Sequence, residues 1–341
     1  MNLTPRARLL AIATAALLLG GAATTYTLTA GSAPGTAATA PGRGSAPDSD
    51  SDSDPDGDPG GTAAGPRIQV LSNGLLSSVS RQDPGGSREV GSRRCERAYA
   101  AAGTVACLAP AGALEGPELV VLDRASNERR KVSLTGLPNR LRVSASGRMV
   151  SWTLFVGGDS YAGNSFSTRT GVLDTSGGQL LNTLEEFTIT RDGRPYRAAD
   201  VNYWGVTFTA DDNRFYATLA TDGHRYLVEG DLAARTVRTL ADNVECPSLS
   251  PDGRRIAFKQ AVDGDPAKGW RPAVLDLATM AATRLPEQRS VDDQPAWLDD
   301  ATVAYAIQRS DGVNDVWGVP ADGSAAPALL VPEANSPAPL S

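Results

Sequence analysis

Aspartate occupies every second position from Asp48 to Asp58, and within that run Asp52-x-Asp54-x-Asp56-Gly57 has the opening of an EF-hand calcium loop. Such a loop needs a bidentate Glu at its twelfth position, which here is Ala63. Pro55 and Pro59 stiffen the run, and its like charges repel and keep the chain extended. The run reads as a charged spacer. His224 is the single histidine, so any Ser-His-Asp triad would have to use it. No Gly-x-Ser-x-Gly elbow accompanies it; the stretch 157–163 comes nearest, with its second glycine one residue too far. One histidine also excludes a zinc site assembled from a histidine cluster. Paired carboxylates are the remaining acid–base candidates: Glu185-Glu186, Asp211-Asp212, Asp292-Asp293 and Asp299-Asp300. All but the first fall where turns are expected, which makes them turn residues before they are catalysts.

The elements that would position these groups follow from an internal repeat. Its clearest copy is 246–260, "CPSLSPDGRRIAFKQ", followed by 272–285, "PAVLDLATMAATRL". The first half is two short strands around a Pro-Asp-Gly turn, and the second is a hairpin whose turn starts at Asp276. The first half recurs at 95–109, 141–155, 206–220 and 295–308, which aligns Val105, Val150, Phe215, Ile256 and Val303 at spacings of 45, 65, 41 and 47. The second half recurs at 67–80, 118–134, 170–184, 226–240 and 315–331. Outer hairpins outnumber inner ones by one, and the C-terminal "NSPAPLS" (335–341) resembles the start of an inner hairpin. The expected fold is therefore all-β: a six-bladed β-propeller over 66–341, closed by pairing its N-terminal and C-terminal strands.

Bulk properties bound the rest. Residues 1–65 hold three basic and six acidic side chains, leaving 29 basic and 33 acidic for the remainder, so no electrostatic footprint for nucleic acid exists. Arg6 and Arg8 precede an uncharged apolar stretch over 9–30, which reads as a signal peptide or an N-terminal membrane anchor (domain 1–30) that sends the chain outward. Residues 31–65 carry hardly an apolar side chain larger than Ala and are expected to be a disordered linker.

"SLSPDGRRIAF" followed by "VLDLAT" resembles the repeat of TolB-like, WD-like propellers, and the N-terminal arrangement is similar to that of exported TolB-like proteins of actinomycetes. That resemblance covers 67–341, most strongly 246–260. It implies a binding platform, an envelope adaptor or the gating domain of a prolyl-oligopeptidase-like enzyme, and hands over no site residues.

On a propeller, Asp292 and Asp293 precede an inner strand at one mouth of the channel, where carboxylates are best placed for function. The insertion at 185–200 lengthens one connection between blades, and long loops on rigid scaffolds concentrate binding. Arg191, Arg194 and Arg197, with Tyr203 and Trp204 just after it, form the expected contact surface, and deleting 187–198 is expected to leave stability nearly unchanged. Trp152, Trp270, Trp297 and Trp317 are expected mostly in the core between blades. Pairing about a turn at Ala101 sets Cys95 opposite Cys107, a cross-strand disulfide suited to an exported protein, and leaves Cys246 as a buried thiol. The function expected is a monomeric, extracytoplasmic, non-enzymatic binding propeller that recognises a protein or cell-envelope component. It needs no cofactor or metal, and touches membrane only through 9–30. The alternative is an extracellular carboxylate- and metal-dependent enzyme, a lyase or glycan-acting, at the channel mouth.

Overall fold

The computed structural model describes residues 65–112, 115–157 and 167–340. The signal or anchor segment, the linker with its aspartate run, and most of 157–163 lie outside the described residues.

Blade 1 takes β1 (Arg67–Ser72), β2 (Leu75–Ser80) and β3 (Arg88–Arg94) as its outer strands. Blade 2 is β4 (Arg97–Ala101), β5 (Thr104–Ala109), β6 (Glu118–Leu122) and β7 (Glu128–Ser133). Blade 3 is β8 (Leu137–Val143), β9 (Met149–Val156), β10 (Ser167–Asp174) and β11 (Leu180–Leu181). The insertion supplies β12 (Thr188–Arg191) and β13 (Arg194–Tyr196). Blade 4 follows with β14 (Asn202–Phe208), β15 (Arg214–Thr221), β16 (His224–Asp231) and β17 (Thr236–Ala241). Blade 5 is β18 (Glu245–Leu249), β19 (Arg255–Ala261), β20 (Trp270–Asp276) and β21 (Ala282–Arg284). Blade 6 is β22 (Ala296–Trp297), β23 (Thr302–Gln308), β24 (Asn314–Pro320) and β25 (Ala328–Val331). The last strand, β26 (Asn335–Leu340), pairs antiparallel with β1, Arg67 opposite Leu340, and becomes the innermost strand of blade 1. The ring closes by pairing the terminal strands as expected, but 67–80 is not an outer hairpin: β1 and β2 are the second and third strands of blade 1, and β3 is its outermost.

The aligned positions share one structural place. Val105, Val150, Phe215, Ile256 and Val303 sit on the second strand of their blades, opposite Ala100, Val143, Phe208, Leu249 and Trp297 of the innermost strands. The core consists of clusters between neighbouring blades. Ala106, Leu108 and Leu119 of blade 2 meet Leu141, Val150 and Trp152 of blade 3, for example. Each large side chain so buried contributes roughly 1.5–3 kcal/mol. Two third-strand glycines make room for aromatic partners: Gly230 lies opposite Phe215 and Gly171 opposite Trp152. A Cβ on Gly230 would stand 2.1 Å from the Phe215 ring.

Two further expectations change. The insertion is not a free loop. Its strand β12 pairs parallel with β17 and extends blade 4 outward to six strands. Phe187 and Ile189 are buried in the cluster that holds Tyr203 and Phe215, so the insertion is part of the core. The Cys95–Cys107 disulfide is present, with Cα atoms 5.5 Å apart, but the two residues are not opposed in the hairpin. Ala102 and Gly103 form a tight turn with φ of 46° and 77°, which sets Cys107 opposite Ala98. Cys95 lies in the connection from β3 to β4, so the bridge ties the link between blades 1 and 2 to the second strand of blade 2. Cys246 is free and buried.

Candidate functional site

Antiparallel strands within each blade bring the beginnings of all six innermost strands to one mouth of the channel. These are the first residues of β4, β8, β14, β18, β22 and β26. Regular pairing fails there in several blades. The ladder slips between Pro138 and Arg140, between Trp204 and Thr207, and between Glu245 and Ser248. Gly205, Cys246 and Ser336 have φ of 66°, 52° and 54°. Bulges of this kind re-aim side chains at the ends of sheets. Gly205 is required, since a Cβ on it would stand 2.7 Å from the Cys246 Cα.

The bulged strand ends fill the mouth with polar groups that cross between blades. Arg140 donates from Nε to the Cys246 sulfur at 3.3 Å and pairs with Asp292 at 3.3 Å. Lys259, whose side chain is 4% exposed, also pairs with Asp292. Register sets Lys259 directly opposite Glu245, with Nζ 3.9 Å from its carboxylate, and places the ammonium over the Trp270 ring. Trp270 donates from Nε1 to Glu245 at 2.8 Å, and Arg225 pairs with the same carboxylate at 3.4 Å. From blade 6, Gln294 donates to the carbonyls of Val206 and Pro247. Arg142 of blade 3 donates to the Pro295 carbonyl on the far side at 2.8 Å.

The predicted carboxylates divide. Asp292 projects into solvent from this mouth with its side chain 60% exposed. Burial pushes its carboxyl up, but Lys259 and Arg140 outweigh that and hold it below its ordinary value. Asp293 is buried, accepts the Ala306 N–H and faces Arg97 at 3.9 Å. The other aspartates serve turns of their own blade or a neighbouring one, and Glu186 pairs with Arg235 at 3.7 Å. Asp211 accepts from Thr209 and the Asn213 and Arg214 N–H groups, Asp212 from Ser146, Asp299 from the Ala301 and Thr302 N–H groups, and Asp300 from the Asp252 N–H. His224 hydrogen-bonds Asp242 at 2.7 Å and stacks on Tyr226 beside the Asp222-Gly223 turn. No group of three or more metal-ligating side chains occurs among the described residues.

The insertion residues lie elsewhere, on the rim of blade 4. Arg191 stacks on Tyr196 at 4.0 Å and pairs with Asp222 at 3.7 Å, while Arg194 and Arg197 are exposed. Tyr203 is 1% exposed within the core, and burial pushes its hydroxyl up. Trp204 is also buried. Tyr203 shares its cluster with Phe187 and Ile189 of the insertion, and both residues are buried because β14 is an innermost strand between neighbouring blades. The mouth and the rim hairpin are separate surfaces. Arg97, Arg140, Arg142, Glu245 and Lys259 were not among the predicted site residues. Arg140 and Arg142, two apart on an inner strand, share one face, and that spacing of charges in an apolar strand was the available signal.

No protein-family model matches the sequence, and no curated protein matches it either. The fold compares with TolB from Acinetobacter baumannii at a TM-score of 0.59 and 17% identity, over 80% of this chain and 66% of that one. The chain has the six-bladed TolB-type fold. It is also similar to a chain of a nidogen/laminin complex, with a TM-score of 0.53 and 11% identity over 81% of this chain and 98% of that one. A puromycin-hydrolysing peptidase of Mycobacterium tuberculosis gives a TM-score of 0.44 at 14% identity, over 78% of this chain and 42% of that one, a looser likeness. The chain thus spans just under two thirds of the A. baumannii TolB, and at these identities the likeness speaks for the fold alone.

Proposed function

We propose that this is a non-enzymatic binding propeller that works outside the cytoplasm and recognises a protein or cell-envelope component at the channel mouth. The observation that carries this reading is how the mouth's charges are used. Its exposed carboxylate, Asp292, is held ionised by Lys259 and Arg140. A carboxylate pinned low is a poor general acid and a weak base. Side chains of one blade hydrogen-bond groups of another across this mouth. One exposed carboxylate set on a buried network of charges suits recognition. The outward-directing N-terminal sequence and the Cys95–Cys107 disulfide support an oxidising, extracytoplasmic setting.

The test is photo-crosslinking of the full chain in envelope extracts, with Asp292→Asn compared against Arg194→Ala/Arg197→Ala. A partner lost by the mouth variant and kept by the rim variant, with both variants still folded, is the expected result. Loss only in the rim variant moves the site to the insertion, and no specific adduct in any form removes the reading.

A further inference from the structure

Charges at the mouth are unevenly matched. Asp292 is shared by Arg140 and Lys259, and Glu245 by Arg225, Lys259 and Trp270. Asp293 stands 3.9 Å from Arg97. Arg142 has no carboxylate. It is 4% exposed, lies over the Tyr99 ring at 4.2 Å, and spends one Nη on the Pro295 carbonyl. Its Nε and other Nη are buried with no hydrogen-bond partner. A buried cation without a counter-ion or full hydrogen bonding is among the costliest arrangements in a protein interior.

Arg142 lines a niche of about 30 Å³, bounded also by Arg97, Arg140, Asn139, Gln294, Ser336 and Asp293, whose carboxylate Arg97 faces. Arg97 adds to the positive field: burial pushes its pKa down, Asp293 draws it back up, and repulsion from Arg140 lowers it further. The volume admits one water-sized group. A guanidinium with two free N–H groups, flanked by two more guanidinium groups, is built for an anionic oxygen or a small monoanion.

We propose that the channel mouth holds an anion-binding niche in which Arg142, flanked by Arg97 and Arg140, receives a single small monoanion or one carboxylate oxygen. This gives the binding reading its ligand chemistry and rests on the same mouth. The carboxylate source is either a free anion or the end of a peptide chain, and the niche accepts only its terminal group.

The experiment uses the full chain and titrates in sodium formate or sodium bromide while following Tm, with the general salt effect read from Arg142→Gln at the same concentrations. A rise that grows with the logarithm of concentration above the Kd is expected, roughly 3 °C at ten times the Kd. Arg142→Gln should abolish it and Arg142→Lys should retain part of it. Should Arg142→Gln fail to fold, bromide anomalous scattering from wild-type crystals gives the second readout, with a peak in the niche expected. Calorimetry with acetyl-tetraalanine and its C-terminal amide then distinguishes the sources. Binding of the acid alone, competed by formate, assigns a chain-borne carboxylate; silence of both peptides assigns a free anion. The proposal is overturned if neither anion shifts wild-type Tm, if Arg142→Gln keeps the full shift, or if the bromide lies elsewhere. Such a failure with partner crosslinking intact leaves the binding reading standing, and loss of crosslinking with anion binding intact removes only that reading.

Discussion

Arg140 of blade 3 donates from Nε to the sulfur of Cys246 in blade 5, 3.3 Å away across the channel. The thiol is 1% exposed, and its own backbone N–H is taken by Thr218. Cysteine at φ 52° is uncommon, and the conformation persists because the bulge of β18 and the close approach of Gly205 leave the chain no other path.

The thiols therefore have distinct expected behaviour. Native, unreduced protein should give no labelling by maleimide, because Cys246 is enclosed and the other two are bridged. Unfolding without reductant should expose one thiol, and unfolding with reductant all three cysteines of the chain. Intact mass after labelling reads the count directly; three labels without reductant would refute the bridge. Cys107→Ser with Cys95→Ser should lower unfolding free energy by about 2–4 kcal/mol.

Lys259 is the keystone of the mouth's ion pairs. Removing one partner of a fully buried pair costs about 3–5 kcal/mol. Here the groups left behind are only partly stranded, because Asp292 is exposed and keeps Arg140, while Glu245 keeps Arg225 and Trp270. Lys259→Met should therefore cost roughly 2 kcal/mol in urea unfolding, less than the full buried-pair figure. Asp292→Asn should cost less again, since its carboxylate is solvated. A larger loss for Asp292→Asn than for Lys259→Met would contradict this order.

Acid should destabilise the propeller through its turns. Asp123, Asp231 and Asp276 accept backbone N–H groups first of all, and Asp174 is held by Arg148; all four carboxyls lie below their ordinary value. A carboxyl whose folded value is depressed binds its proton more readily in the unfolded chain, so its contribution is complete above the unfolded value of about 3.9 and is lost as pH falls through the folded one. Asp292 follows the same sign. Stability should be flat from about pH 7 to about pH 5 and fall steadily below about pH 4. Urea midpoints across that range check it, and Asp174→Asn should flatten the acid limb.

The fold was legible because the repeat is carried by local chemistry. Val150, Phe215, Ile256 and Val303 are buried at equivalent pairs, and Asp174, Asp231 and Asp276 cap equivalent turns, each written in nearby residues. The mouth was legible only through Asp292 and Asp293. Its other groups depend on bulges, and neither Cys246 nor Ser336 is a residue type that announces a left-handed backbone. The disulfide pairing was readable while its register was not, because the two-residue turn at Ala102 and Gly103 moved Cys107 opposite Ala98. Burial of Tyr203 comes from neighbours far away in sequence, among them Met149 and Val172 of blade 3.

The insertion offers the sharpest contrast between loop and scaffold. Treated as a decoration, residues 187–198 could be removed at little cost to stability. The structure predicts the opposite. Phe187 packs edge-on against Phe215 with ring centroids 6.1 Å apart, Ile189 is buried beside it, and Tyr196 hydrogen-bonds Thr221. Excising them uncovers Tyr203 and the outer edge of β17, leaving apolar surface and an unpaired strand edge. Loss of two buried side chains of this size corresponds to roughly 3–6 kcal/mol. The deletion should therefore lower Tm by roughly 6–24 °C, at about 2–4 °C for each kcal/mol lost, and promote aggregation. Arg194→Ala and Arg197→Ala, on the exposed side of the hairpin, should leave Tm within about 1 °C, since surface changes of this kind stay within roughly 0.5 kcal/mol. Differential scanning calorimetry of the three variants decides it: an unshifted deletion variant would return the insertion to the status of a loop.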